Sequence, residues 1–269
     1  MDKELETSEA AVKGSLLSRL LLIFGILLLV VAVGIAAFVA WQYLDAQNRY
    51  REIQSVAGLE ISEPELVSDD LQLEDLVFDW EALRAINPHT VGWIIVPGTA
   101  INYPIVQGPD NDYYLYHLFD SSSSGTGAIF ADYEGSPTLA GPHNVIYGHN
   151  MFDGSMFSDI YKYTNQEYFD GHRKLFLCTP ERNFELKTIA TLNVRADAPI
   201  RRFEFEDQYK LTIFMQETLT AAVAQASDMN ELTVEAESFY SFVTCETFEA
   251  STRIVLCAVP VNSVDITVN

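Results

Sequence analysis

Hydrophobic and polar positions divide the chain into three zones of different rhythm. Near the N-terminus an uncharged, mostly apolar run of 22 residues, Leu20 to Trp41, lies between Arg19 and Asp45. As a helix rising about 1.5 Å per residue it is roughly 33 Å long, which matches a hydrocarbon layer of ~30 Å. A single membrane crossing is therefore expected over 20–44. A cleaved signal peptide is the competing reading, but its apolar core would run about 7 to 15 residues and end in a small-residue site. Beyond the run, Asp45 to Val56 can continue as helix, and Gly58 to Asp75 is an acidic, Pro64-containing connector without periodicity. Phe78 to Ile86 returns to helical spacing and stops at Asn87-Pro88, where the residue before proline is pushed out of the α region.

From Val91 the rhythm shortens. Gly92 to Val96, Tyr103 to Val106, Gly127 to Phe130, Asn144 to Tyr147, Leu175 to Cys178 and Phe184 to Val194 read as short strands separated by glycine, proline and asparagine, the signature of a barrel or sandwich. Glu206 to Ala226 interrupts them with an amphipathic helical pattern carrying Tyr209, Ile213, Phe214, Leu219 and Val223. Phe239 to Cys245 and Arg253 to Val259 are two further apolar runs joined by a polar segment. If they pair antiparallel, the thiol that ends one strand and the guanidinium that begins the next meet at one rim of the sheet.

Charge narrows the partners. The net charge is −22, almost all of it beyond the apolar run, which argues against nucleic acid and against docking on anionic lipid. A cationic or neutral polypeptide suits such a surface, with plain solubility as the alternative. Lys3, Lys13 and Arg19 before the run and Arg49 and Arg51 after it give only a slight basic bias. The short tail nevertheless favours an internal N-terminus and an external domain. Three cysteines do not make a disulfide framework, so at least one thiol is expected to be free.

Among the cysteines, Cys178 and Cys257 sit within apolar strand patterns and read as small core residues. Cys245 stands at a strand end, eight positions before Arg253. A thiol needs a nearby cation to ionise at neutral pH, and acyl transfer needs a donor where oxyanion charge develops. Of five histidines, His149 follows the apolar strand 144–147 and a glycine, which places an imidazole at a strand end where it can exchange a proton with an amine. A structural loop histidine is the other reading. No HExxH or CxxC spacing is present, so neither a metal nor another cofactor is expected.

Tyr147-Gly148-His149-Asn150-Met151 with Gly154-Ser155-Met156-Phe157, then Thr244-Cys245, then Arg253, together resemble a sortase of class B. The resemblance extends to Asn87-Pro88 with Val91-Gly92-Trp93-Ile94, to Tyr103-Pro104-Ile105-Val106-Gln107, to Asn111-Asp112-Tyr113-Tyr114-Leu115, and to Tyr168-Phe169 with Thr179-Pro180, covering about residues 78 to 262. It implies a mostly β fold: an eight-stranded sortase-type β-barrel with a short N-terminal helix and an inserted helix before the penultimate strand. It also implies an external cysteine transpeptidase of a Gram-positive-type envelope. Such an enzyme cleaves a C-terminal sorting signal after threonine and joins the new carboxyl to an amine of the peptidoglycan precursor or to a pilin lysine. Carried over, Cys245 is the nucleophile, His149 the general acid and base, and Arg253 the oxyanion or substrate clamp. Asn111, Leu115, Ile200, Thr244 and Glu246 fall where the family contacts its sorting peptide. Two departures bear on which signal is read. Phe242-Val243-Thr244-Cys245 stands where Leu-Ser-Thr-Cys is frequent, and Pro199 where tyrosine is common.

The expected organisation is a cytoplasmic tail over 1–19, a single-pass anchor in the cell membrane over 20–44, a helix and linker over 45–77, and an extracytoplasmic catalytic domain over 78–269. The expected partners are surface proteins bearing the sorting signal and an amine acceptor. A pilin polymerase with the same chemistry, and a catalytically silent surface barrel, are the alternatives.

Overall fold

The computed structural model describes residues 2–58, 71–245 and 251–266, with side chains from Ser18 onward and, in the second stretch, up to Thr244. The chain divides into two compact units, Met1–Gln47 and Asn48–Asn269. Most of the connector expected over Gly58 to Asp75 lies outside the described residues.

In the first unit runs α1 (Asp2–Val56), whose last residues belong to the second unit. Its stretch from Ser18 is long and apolar enough to cross a membrane. Large apolar side chains from Leu20 to Val39 are exposed.

The second unit is built on strands. Helix α2 (Trp80–Ile86) is capped by the Asp79 carboxylate, which accepts from the Ala82 amide at 2.9 Å, and ends at Asn87 before Pro88. There follow β1 (Thr90–Ile95), β2 (Asn102–Gln107), β3 (Ile129–Ala131), β4 (His143–His149), α3 (Gln166–Gly171), β5 (Lys174–Cys178), β6 (Arg182–Arg195), α4 (Gln208–Leu219), β7 (Ala222–Gln225), α5 (Met229–Glu235), β8 (Phe239–Cys245) and β9 (Thr252–Asp265). Eight strands close on themselves in the order β5-β1-β2-β3-β4-β8-β9-β6, with β6 returning to β5. The pairing is antiparallel except for β2–β3 and β4–β8. The barrel and the antiparallel pair β8–β9 agree with the sequence expectation.

The insertion before β8 is more divided than its pattern suggests. Instead of one helix over Glu206 to Ala226, α4 stops at Leu219 and the chain turns into β7 and then α5. The N-terminus of α4 is set by Asp207, which accepts from Lys210 N. Its buried stripe is Leu211, Phe214, Met215 and Leu219, while Tyr209 and Val223 are exposed. Val223 and Ala224 alternate outward and inward as strand residues do, so Val223 cannot extend the helical stripe.

β7 pairs with β6 at Ala190–Leu192, beyond the Asn183–Lys187 stretch of β6 that β5 occupies. Its outer edge is met by α3. The Gln166 side-chain amide donates to the Gln225 carbonyl at 2.9 Å, and its oxygen accepts from the Gln225 amide at 3.1 Å.

Strand alternation sorts β8 into two sets. Tyr240, Phe242 and Thr244 are fully or almost fully buried toward the barrel interior, whereas Phe239 and Val243 join Val145, Val255, Cys257 and the α4 stripe in a second apolar layer outside it. Burial pushes the Cys178 and Cys257 thiols well up from their ordinary range, and both are free. They are small core residues, as their strand patterns predict.

That outer layer also contains His143, stacked on Phe239 with ring centroids 4.9 Å apart. Its Nδ1 donates to the Arg202 carbonyl at 3.0 Å, so its Nε2, 2.9 Å from Ser241 Oγ, accepts. Burial lowers its pKa to about 4, against a smaller upward pull from the Arg202 carbonyl and Asp132. Between about pH 4 and 6.5 the folded protein therefore binds fewer protons than the unfolded chain, and stability must fall as pH is lowered through that window. The full loss for this one group is on the order of 3 kcal/mol. Chemical denaturation at pH 4.5 and 7.5 is expected to show this acid loss in the native protein and a markedly smaller one in His143→Gln.

Candidate active site

The ends of three adjacent strands bring together residues far apart in sequence. In the parallel register of β4 and β8, His149 is the partner of Cys245, and in the antiparallel register of β8 and β9, Cys245 is the partner of Arg253. The three occupy one row across the sheet, with strands about 4.8 Å apart. Strand alternation puts His149 and Arg253 on the face that carries Tyr147, Val243 and Val255, just past the apolar layer under α4. The side chain of Cys245 lies outside the described residues; its backbone closes β8 at the centre of the row.

Local sequence explains why the row ends there. Gly148 is the partner of Thr244, and a Cβ at Gly148 would lie 2.5 Å from Ile129 Cδ1 and 2.8 Å from the Phe157 ring. Only glycine lets the strand close on that interior packing one residue before the histidine. After His149 the chain folds back through a tight turn, with Gly154 and Met156 at positive φ, and the Phe157 amide returns to the His149 carbonyl at 2.9 Å.

The His149 ring is oriented by a backbone atom. Its Nε2 lies 2.9 Å from the Leu115 carbonyl, which can only accept, so Nε2 carries a proton. In the neutral ring the lone pair is then on Nδ1. The same edge of the ring faces Gly127, where an added Cβ would stand 2.7 Å from the Tyr114 carbonyl, 2.8 Å from the Leu115 carbonyl and 3.0 Å from His149 Cδ2, at a φ of +62°. The Arg253 guanidinium donates to the Thr252 carbonyl at 2.7 Å.

Two curated relatives align with the chain. Sortase B of Listeria monocytogenes is 33% identical over 141 residues, which is 52% of this chain and 57% of that protein. Sortase B of Staphylococcus aureus is 28% identical over 247 residues, 90% of this chain and 97% of that protein. Among solved structures, a Bacillus anthracis protein described as similar to sortase B superposes with a TM-score of 0.68 at 28% identity, covering 83% of this chain and 98% of that one. In sequence and in fold the chain is similar to class B sortases. These likenesses support an enzyme of the sortase class, a cysteine transpeptidase. No protein-family model matches it.

The residues expected to contact peptide are placed unevenly. Leu115 adjoins the row through its carbonyl. Ile200 packs at the margin of the outer apolar layer, in a segment whose start is tied to the row by the Ala196 amide donating to Ser251 at 2.7 Å. Thr244 is buried on the interior side. Asn111 is held by two bonds, donating to Asp132 Oδ2 at 3.0 Å and accepting from the Tyr133 amide. Glu246 lies outside the described residues.

Sequence reasoning passed over a buried carboxylate beside the row. Asp132 has no exposed side-chain surface and accepts two bonds from Arg201, at 2.6 and 2.9 Å, one from the Tyr147 hydroxyl at 2.8 Å, and the Asn111 amide. Burial alone would raise its pKa, but the Arg201 guanidinium, then the Glu134 amide, Tyr147 and Asn111 outweigh it and hold the carboxyl below its usual range. The cluster joins β4 two residues before His149 to the segment carrying Ile200 and to the stretch leading to Leu115. Asp132 and Arg201, the charged pair at its centre, both lie outside strands and helices, and no short motif marks either.

Arg201→Leu would strand a buried carboxylate, although Arg201 is 40% exposed and water would partly replace it. A loss of about 2 kcal/mol is expected in urea unfolding, with Asp132→Asn costing less because the neutral amide needs no counter-charge. Gly148→Ala is expected to lower both unfolding temperature and turnover, since the added methyl must displace Ile129 and Phe157.

Proposed function

We propose that the protein is a membrane-anchored transpeptidase that cleaves a C-terminal sorting signal after threonine and transfers the new carboxyl group to an amine of the cell-wall precursor. The observation that supports it is the His149–Cys245–Arg253 row across β4, β8 and β9. In this reading 1–19 is a cytoplasmic tail, 20–44 the anchor, 45–77 a helix and linker, and 78–269 the catalytic domain outside the cell membrane. The exposed apolar stretch of α1 favours an anchor.

The chemistry follows from the groups in the row. The Cys245 thiolate attacks the threonine carbonyl, and the oxyanion that forms is stabilised by the Arg253 cation. The C–N bond breaks as imidazolium His149 gives a proton to the departing amine, leaving a thioester. An incoming amine then attacks the thioester, loses its proton to His149, and expels the thiolate. The Leu115 carbonyl holds the Nε2 proton, so Nδ1 is the nitrogen that exchanges protons in both halves. Asn111, Leu115, Ile200, Thr244 and Glu246 are the proposed lining of the peptide site. Asn111 and Thr244 act there by shaping the walls, since the first is committed to Asp132 and the second is buried. Surface proteins with the sorting signal are the proposed substrates.

The test is mass spectrometry of products from a sorting-peptide library supplied with a wall-peptide amine or with a pilin domain. Transfer to the wall-peptide amine is expected; transfer only to a pilin lysine would make the protein a polymerase. Cys245→Ala is expected to abolish cleavage, His149→Gln and Arg253→Met to reduce it by a hundredfold or more. Cys257→Ala should leave turnover intact and cost about 1 kcal/mol of stability. A thiol reagent that labels Cys178 or Cys257 faster than Cys245 would overturn the assignment.

A further inference from the structure

The last turns of α1 reach the backbone corner that supports His149. From Asn48 onward the helix belongs to the same compact unit as the barrel. Ile53 and Ala57 are buried, Gln54 Nε2 donates to the Asn102 carbonyl at 2.9 Å, and Arg49 pairs with Asp120. These contacts fix the helix, and Tyr50 is the side chain it carries into the interior. The Tyr50 hydroxyl donates to the Gly127 carbonyl at 3.0 Å in a buried bond. Gly127 is where the backbone presses on both the Leu115 carbonyl and the His149 ring, with no room for a Cβ.

The Tyr50 ring has a second role. It packs edge-on against Tyr103, with centroids 5.2 Å apart and planes at 87°. The Tyr103 hydroxyl accepts from the Met156 amide at 3.1 Å. Met156 holds a positive φ of 56° in the turn that brings Phe157 back onto the His149 carbonyl. One tyrosine thus supports the histidine from both sides: through Gly127 beneath the imidazole edge, and through Tyr103 beneath the turn that follows it.

We infer that Tyr50 is a positioning residue for His149, so that the helix leading out of the apolar segment sets the orientation in which the imidazole exchanges protons. Removing the hydroxyl frees the Gly127 carbonyl, lets the Leu115 corner relax, and weakens the bond that keeps the proton on Nε2. Misplacement of a reacting group by a fraction of an ångström lowers turnover without changing how the peptide is held. The effect on turnover rests on the proposed role of His149; the effect on the ring itself does not.

The experiment uses the full chain in lipid nanodiscs, with ring-nitrogen NMR on labelled histidine and the His149 signals identified by their loss in His149→Gln. In Tyr50→Phe, kcat for sorting-peptide transfer is expected to fall about five- to tenfold with KM within twofold of the native value. The His149 nitrogen shifts should move away from the Nε2-protonated form. Gln54→Leu removes a different bond of the same helix, to the Asn102 carbonyl beside Tyr103, while leaving Tyr50 itself intact, and should change kcat and the ring signals less than Tyr50→Phe does. Native ring signals in Tyr50→Phe, or equal changes in both variants, would overturn the inference. If the native protein transferred no peptide, the proposed function would fail while the ring signals still decided the role of Tyr50.

Discussion

Everything at the candidate site depends on the parallel register between β4 and β8. Side chains alternate faces with every residue, so a slip of one position along either strand would send one residue of the row to the barrel interior. The register is held at both ends of the pair. At the beginning, the Phe239 amide donates to the Pro142 carbonyl at 2.8 Å, and His143 ties its own strand to Ser241 of β8. At the other end, Gly148 permits the close packing of Ile129 and Phe157 that a larger residue would forbid. A parallel pair needs a long crossover, and here that crossover contains β5 to β7 and three of the helices, so much of the chain serves to deliver β8 to this alignment.

Two kinds of support surround the row. On one side is an apolar layer, in which the buried stripe of α4 packs with outward-facing residues of β4, β8 and β9. On the other is a polar cluster centred on Asp132, which is stable in a water-poor place because four different donors converge on its oxygens. The division makes physical sense. Apolar packing is tolerant of small shifts, whereas a carboxylate with four partners fixes direction as well as distance.

Much of this was legible in sequence because strands and helix caps leave periodic traces. The β8–β9 pair, the stop of α2 at Asn87-Pro88, and the buried character of Cys178 and Cys257 all follow from pattern. β7 did not, because Ala222 to Gln225 is short and its exposed Val223 sits where a helical stripe would also place an apolar residue. The orientation of His149 was hidden for a different reason. It depends on the main-chain oxygen of Leu115 and on the missing Cβ of Gly127, and neither a carbonyl nor an absent methyl has a signature in side-chain pattern. Tyr50 and the Asp132–Arg201 pair escaped because each joins segments about seventy residues apart, a separation at which sequence carries no periodicity.

Closing a sheet into a barrel leaves its strands no open borders, yet β7 reintroduces one by pairing beyond the reach of β5. Such a border invites another chain to add itself as an extra strand. Gln166 answers this by offering its side-chain amide to Gln225 in the way a neighbouring peptide group would, so the amide and carbonyl of Gln225 on that border are already filled. An added strand would find that pair of groups taken, and so would gain fewer bonds along this seam.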